Sequence, residues 1–415
     1  MPKSQLAIHG GTPIRTKPWP PRALFGEEEK QAVIDLFDQA IASGTAFGYE
    51  GPTERAYCEE FAEFLGGGYV DAVNSGTNAV YVALRALNPE PYTEIIVSPI
   101  TDQGGVMPVP LLNCIPVVAD TAPGSFNVGP EQIEAAITPL TSAIVVAHIM
   151  GEPADMEGIM AVARRHNIPV VEDCAQAHGA KLNGQYLGTF SEVSAFSTMF
   201  GKHHATGSQG GLVFTKDEDL YVKIRQASDR GKPFGLPAGS TNTMATLNFN
   251  LGDLGAAIGR VQLKKLPQIV GKRQEVAKAI IAGIEDIAAV SAPEQLPGAE
   301  PSYWYLRLRV NEEHLSCTKR EFCAALAAEG ISHNPEYAAL PHRTQWFRER
   351  RVFGTTELPW SSPLYRGQAP REFPCPNAMQ AVASHFLLPV SESWGEEEIR
   401  DVVEAIRKVV NAFAV

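Results

Sequence analysis

The chain has 415 residues, of which 44% are hydrophobic and 20% charged, and a net charge of −12. That length can hold two or three domain-sized units around a large core, and the acidic balance argues against nucleic acid or an anionic membrane as a partner. No run of about 18 apolar residues is present, as a transmembrane helix would need, and Met1-Pro2-Lys3-Ser4-Gln5 lacks the apolar core of a signal peptide, so a cytoplasmic protein is expected.

Residues 27 to 42 carry an amphipathic helical pattern, with Val33, Ile34, Leu36, Phe37 and Ile41 apolar. A second helix is predicted from about Glu54 to Leu65, closed by the glycines Gly66 to Gly68. Ser75-Gly76-Thr77 then precedes the helical pattern of Ala79, Val80, Val82, Ala83, Leu84 and Leu87. Strand-like runs follow near Ile95 to Ser98, Ile115 to Ala119, Ala143 to Ala147, Ile168 to Val171, Val193 to Ser197 and Leu212 to Thr215. Helical runs lie between several of them, notably Glu131 to Ile137 and Ile159 to His166. The alternation predicts an α/β fold, with a mostly parallel central sheet flanked by helices. The stretch Leu254 to Ile284 reads as a long helix interrupted near Pro267.

The pattern changes from about Val290. A strand is expected at Trp304 to Val310, with helices at Lys319 to Glu329, Ala378 to His385 and Glu396 to Phe413. The expected division is a large cofactor-binding α/β domain over residues 1–289, including an N-terminal arm, and a smaller α+β domain over 290–415. Residues 332–376, rich in Pro, Arg and aromatics, read as an ordered loop closing over a site or an interface. The six cysteines are scattered and lack metal-site spacing, so reduced thiols and no metal site are expected.

Three features carry chemistry. Lys202 follows the uncharged run Val193 to Phe200 and precedes a glycine-rich loop, which predicts a strand exit in a cleft. Asp173 ends the buried run beginning at Ile168; a carboxylate there either caps the next turn or faces a cation such as a protonated pyridine nitrogen. Ser75-Gly76-Thr77 opens a helix, either as an ordinary N-cap or as a phosphate seat. A lysine for a Schiff base, an acid for the ring nitrogen and a turn for the phosphate are the parts of a pyridoxal 5'-phosphate enzyme.

The chain also resembles the DegT/StrS-type sugar aminotransferases, enzymes of fold type I that aminate keto sugars and keto cyclitols. The resemblance runs from about residue 7 to the C-terminus. It is carried by Ala7 to Arg15, Asn74 to Ala79, Pro116 to Asp120, the His148-x-x-Gly151-x-Pro153-Ala154-Asp155-Met156 segment and Glu172-Asp173-x-Ala175-Gln176-Ala177-His178-Gly179-Ala180. Asn248 to Asp253, with Ala256 to Gly259, Gln262 and Leu263, resembles a segment given to the neighbouring subunit. The resemblance implies Lys202 as the Schiff-base lysine, Asp173 at the pyridine nitrogen and Gln176 at the ring or its phenolic oxygen. It implies Gly76, Thr77, Asn78 and Ser197 around the phosphate, and Asn248 at the phosphate of a homodimeric partner.

Three departures stand out. The family's Pro-x-x-Thr-aromatic segment is here Pro99-Ile100-Thr101-Asp102-Gln103-Gly104-Gly105, so Gln103 or Asp102 takes the place of the ring-stacking aromatic. The loop after the lysine is longer and lacks its acid, at Gly207-Ser208-Gln209-Gly210-Gly211, and Asn250 replaces an arginine. The substrate pocket is expected to draw on Asp102, Gln103, His148, His203, His204, Trp304 and Tyr337; His203 and His204 read either as site lining or as solvated loop. The implied reaction moves an amino group from glutamate or glutamine to a keto sugar or cyclitol, for amino sugar or aminocyclitol biosynthesis. A sugar dehydratase with histidine in the lysine's place, and a cofactor-binding regulatory protein without turnover, are the other two readings.

Overall fold

The computed structural model describes residues 5–415. A 3-10 turn at Ala7–His9 leads to helices α1 (Glu27–Ser43) and α2 (Pro52–Phe64), the edge strand β1 (Tyr69–Val73) and α3 (Gly76–Leu87). Next come β2 (Glu94–Val97), the short α4 (Pro108–Leu111), β3 (Ile115–Val118), α5 (Pro130–Ala136), β4 (Thr141–Ala147), α6 (Met156–His166) and β5 (Val170–Asp173). A small hairpin of β6 (Lys181–Leu182) and β7 (Gln185–Tyr186) precedes β8 (Val193–Ser197), β9 (Gly211–Thr215), α7 (Glu218–Ser228) and α8 (Asp253–Ile284). The remainder holds β10 (Val290–Ser291), β11 (Ala299–Glu300), β12 (Leu306–Val310), α9 (Lys319–Ala328), α10 (Gln345–Arg348), α11 (Pro376–Ser384), β13 (His385–Leu388) and α12 (Glu396–Phe413).

Seven strands form the main sheet in the order β1-β9-β8-β5-β4-β2-β3. The pairs from β8 to β3 are parallel, and β9 and β1 close the other edge antiparallel. Central strands such as β2, β5 and β8 are buried along their whole length, because helices cover both faces. Ile95 and Val97 point into one apolar layer with Val80 and Leu84 of α3, while Ile96 points into the other with Tyr57 and Phe61 of α2. Strand C-terminal ends therefore gather at one rim of the sheet, where Asp173 and Ser197 lie.

β1 is a strand that the periodicity did not announce; its five residues pair with β9 from Tyr69↔Thr215 to Val73↔Gly211. The long helix is also not interrupted: α8 runs unbroken through Pro267. A proline inside a helix removes one backbone bond and costs about 3 kcal/mol. Pro267 is itself exposed, while its neighbours Leu263, Leu266, Ile269 and Val270 are buried, so apolar packing along this stretch offsets the cost.

A second sheet, β10-β12-β13, packs with α9, α12 and the last turns of α8 around Ile280, Leu308, Phe322, Phe386 and Ile406. Leu6 belongs to this apolar cluster, so the N-terminal arm reaches across to it. Tyr337, Leu340, Phe347, Ala378 and Val382 instead join the layer around α3. The segment from Tyr337 to Val382 is thus a strap laid back over the main sheet.

Candidate active site

Helix α3 begins at the rim. Ser75 caps it, its Oγ accepting from the amide of Asn78 at 3.2 Å, while the amides of Gly76 and Thr77 precede the first intrahelical bond. A β-carbon on Gly76 would lie 2.5 Å from Ser197 Cβ, so the end of β8 touches the start of α3. Paired amides, a threonine hydroxyl and a serine hydroxyl at a helix N-terminus fit a phosphate. Asn78 turns its side-chain amide to Asn74 Oδ1 at 2.6 Å, so only its backbone faces this turn.

A second turn closes the seat. Asp102 caps the 3-10 turn Gln103–Gly105, its Oδ1 accepting from the amide of Gly104 at 2.9 Å. This turn is wedged between the two other parts. A β-carbon on Gly104 would meet Thr77 Oγ1 at 2.3 Å, and one on Gly105 would meet Asp173 Oδ2 at 2.9 Å. Side chains are excluded at both positions, and the spacing between the phosphate turn and the acid is fixed by bare backbone.

Asp173 is buried at the end of β5, its Oδ1 accepting from the amide of Ala175 at 3.0 Å. Burial pushes its carboxyl above the ordinary range, with the Ala175 amide and Lys202 pulling the other way. Lys202 is buried as well, and burial brings its amine down to about 8 against the opposing pull of Asp173 and Asp102. Its ε-nitrogen lies 3.7 Å from the centroid of the Trp304 ring. Gln176 Oε1 accepts from the amide of Met150 at 2.9 Å, and its Nε2 donates to the Tyr337 hydroxyl at 3.1 Å. Met150 adopts φ 61°, a left-handed conformation unusual for its side chain, which turns its amide toward Gln176.

The three histidines expected around a substrate do not line the site, and this corrects the sequence reading. His148, His203 and His204 are all 0% exposed. His148 accepts from the amide of Ala154 at 3.1 Å and donates to Glu172 at 3.2 Å. His203 donates to the Ser302 carbonyl at 3.0 Å. His204 lies against Phe61 and places Nε2 3.0 Å from the Tyr57 hydroxyl. His148, Glu172 and Cys174 hold ligand-type atoms within 4.8 Å of each other. However, Glu172 is consumed by the amides of Gly188, Phe190 and Ser191 and by the Ser191 hydroxyl, so this cluster reads as internal bracing.

The sequence pattern that defines the DegT/DnrJ/EryC1/StrS aminotransferase family matches residues 26–407. The chain belongs to this family. Its members are pyridoxal phosphate-dependent enzymes of fold type I, and this chain is an aminotransferase. One relative, the L-glutamine:2-deoxy-scyllo-inosose aminotransferase of Streptomyces lividus, is 29% identical over 428 residues, covering 98% of this chain and 97% of its own. Another, the dTDP-3-amino-3,4,6-trideoxy-alpha-D-glucose transaminase of Streptomyces venezuelae, is 29% identical over 358 residues, covering 86% and 87%. Among solved structures, an aminotransferase from Psychrobacter cryohalolentis superposes with a TM-score of 0.81 at 28% identity, covering 96% of this chain and 100% of that one.

Against the family pattern, the departures now have structural places. Gln103, half-buried, accepts from the indole of Trp346 at 2.7 Å. Asn250 donates to Asn248 Oδ1 at 2.9 Å, and Asn248 is exposed on the surface beside Asp229. In the longer lysine loop, the carbonyls of Gly210 and Ser208 accept from the amides of Thr198 and Phe200 at 2.9 Å each, folding the loop back on itself. Two participants escaped the sequence reading. Trp346 had only its aromatic-rich surroundings as a signal, and Arg22, which donates to the Lys202 carbonyl at 2.9 Å, sits in a proline-rich arm without any pattern.

Proposed function

We propose that this aminotransferase moves an amino group from glutamate or glutamine to the ketone of a keto sugar or keto cyclitol. The acceptor class follows from what the two relatives are named for. The observation that carries the reading is the buried Lys202, whose amine is brought down to about 8 beside Asp173 and within one rim of the Gly76-Thr77 turn. A primary amine poised near neutrality can attack a carbonyl and move protons at physiological pH.

Bound pyridoxal phosphate would supply an electron sink for the carbon that bears the migrating amino group. The Gly76 and Thr77 amides, Thr77 Oγ1 and Ser197 Oγ would hold its phosphate. Asp173 would hold the proton on the ring nitrogen, gaining the cation that its buried carboxylate lacks. Gln176, fixed by Met150 and Tyr337, would orient the ring's polar edge. Lys202 Nζ would bind the cofactor between turnovers, then take and return the proton at the reacting carbon. Asp102, Gln103 and Tyr337 would face the acceptor's hydroxyls, under the strap from Tyr337 to Val382. In this arrangement residues 1–289 carry the cofactor and 290–415 close over it.

A cytoplasmic homodimer is part of the proposal. Phe37, Ile41, Phe200 and Leu247 are exposed large apolar side chains on α1, the lysine loop and the segment next to Asn248. Gathered into one patch, such side chains favour a covering partner, and in the proposed dimer they would lie in its interface. Asn248 would then reach the cofactor phosphate of the neighbouring subunit. No helix among the described residues is long and apolar enough to cross a membrane.

The dehydratase reading loses support because His203, the neighbour that could replace the lysine after a slip in alignment, is turned into the Ser302 carbonyl. The test is a screen of glutamate and glutamine against a panel of keto sugars and keto cyclitols, with products identified by mass spectrometry. Amine-bearing product from one pair is the expected result. Cofactor binding with no amine transferred to any ketone would favour the regulatory reading.

A further inference from the structure

The Lys202 ammonium has an unusual neighbour. Its nitrogen is 3.7 Å from the centroid of the Trp304 ring, while Asp173 and Asp102 act on it only through space. Among the described residues no carboxylate lies within 4.0 Å of it. An aromatic face attracts a cation, more strongly where water is excluded.

The indole cannot turn away. Its Nε1 donates to the Gly201 carbonyl at 3.2 Å, and the Trp304 amide donates to the Met150 carbonyl at 2.9 Å. Arg273 Nη1 donates to the carbonyls of Tyr303 and Trp304 at 3.1 and 3.2 Å. On the other side, Arg22 Nη1 donates to the carbonyls of Gly201 and Lys202 at 3.2 and 2.9 Å. One carboxylate joins the two arginines: Glu392 accepts from Arg22 Nε at 2.9 Å and from Arg273 Nε at 2.8 Å. Lysine and indole are clamped as a pair.

We propose that Trp304 is a positioning residue for Lys202, whose indole face seats the protonated ε-ammonium whenever that nitrogen is not bonded to the cofactor. The seat fixes where the proton waits between its removal and its return, and so rests on the reading of Lys202 as the proposed proton carrier. The other groups around the lysine do not replace the ring. Asp173 at the end of β5 and Asp102 in the turn after β2 favour the ammonium from farther away. His178, in the turn after β5, is neutral because burial drives it down to about 3. Arg22 and Arg273 are committed to backbone carbonyls and Glu392. Burial alone works against the ammonium, and the ring opposes that loss.

The experiment measures the pKa of Lys202 itself in cofactor-free protein, by competitive acetylation against pH with peptide mass spectrometry. Trp304→Leu should lower it by about one unit, roughly a tenfold higher ratio of neutral to charged amine at pH 7, and Trp304→Phe should recover most of the difference. Replacing tryptophan by mono-, di- and trifluorotryptophan drains the π face without changing its shape, and should lower the Lys202 pKa stepwise. A Lys202 pKa unchanged in folded Trp304→Leu, or flat across the fluorinated series, overturns the proposal. The fluorinated series decides alone if the leucine variant fails to fold. Failure of the function reading is separate: it would appear as borohydride fixing the cofactor on a lysine other than Lys202.

Discussion

The indole nitrogen of Trp346 donates to Oε1 of Gln103 across 2.7 Å, joining the strap to the turn that lies between Thr77 and Asp173. Gln103, one of the two residues expected in the place of a ring-stacking aromatic, thus bonds to an aromatic from 243 positions away. Gln103→Leu should strand the indole N–H, at a cost of about 1–3 kcal/mol. Hydrogen exchange across residues 337–350 should accelerate as a result. Trp346→Phe should do the same, and the double variant should be little worse than either single one. Unaltered exchange in both single variants would mean that the bond does not hold the strap.

Lys202 should be the residue that carries the cofactor. Borohydride should abolish the visible band and leave the label on the peptide containing Lys202. Lys202→Ala should retain cofactor through the phosphate turn but lose turnover by orders of magnitude. Full activity in that variant would exclude the lysine from the chemistry.

Asp173→Asn should reduce turnover by orders of magnitude, since a neutral amide cannot hold the ring proton by charge. Single-turnover kinetics with the donor alone is the appropriate assay. A loss of only severalfold would make Asp173 a cap for Ala175 and no more.

The lysine should also leave a mark on stability. Its folded pKa is about 8, below the ordinary 10.5. Below pH 8 both folded and unfolded cofactor-free protein carry the proton, so the cost of the buried ammonium is felt in full. Between about pH 8 and 10.5 the unfolded chain holds more protons, and this contribution makes stability rise with pH. Lys202→Met should therefore be the more stable protein at pH 7, on the order of a few kcal/mol, with the advantage gone near pH 10.5. Urea unfolding of both proteins at fixed concentration measures it; a pH-independent difference would contradict the shift.

A shared site predicts complementation. Lys202→Ala mixed with an inactive Asn248 variant should regain activity, because one of the two sites in each heterodimer is intact. Proven heterodimers of inactive parents that restore nothing would rule out the crossing contact.

Much of the fold was legible because buried strands and amphipathic helices print their periods in the sequence: β8 and α12 end where the pattern predicts. β1 was missed because its five residues follow three glycines directly and alternate poorly, with Asp71 buried inside and facing Arg225. Pro267 misled because local propensity cannot register the apolar packing of the residues around it in α8. At the candidate site, the placing of Asp173 at the end of β5 and of Gly76 at the start of α3 was legible, since a strand end and a helix start each leave a pattern in the sequence. The histidines were not, because polarity next to a lysine does not tell which way a ring points. Trp346 and Arg22 were invisible for another reason: they reach the site only through tertiary contacts more than 170 residues long.

The clamp behind the lysine has a bearing on how the protein is made. Arg22 and Glu392 are 370 residues apart, and Arg15 pairs with Asp401 across 386. Synthesis runs from the N-terminus, and domains fold as units while the chain emerges. The seven-stranded sheet can therefore assemble on the ribosome, with Lys202 already at its rim. The carboxylate that locks Arg22 and Arg273 over the lysine is translated after every strand of that sheet. Until Glu392 joins the two arginines, the nascent chain is an assembled sheet whose rim lysine is not yet latched.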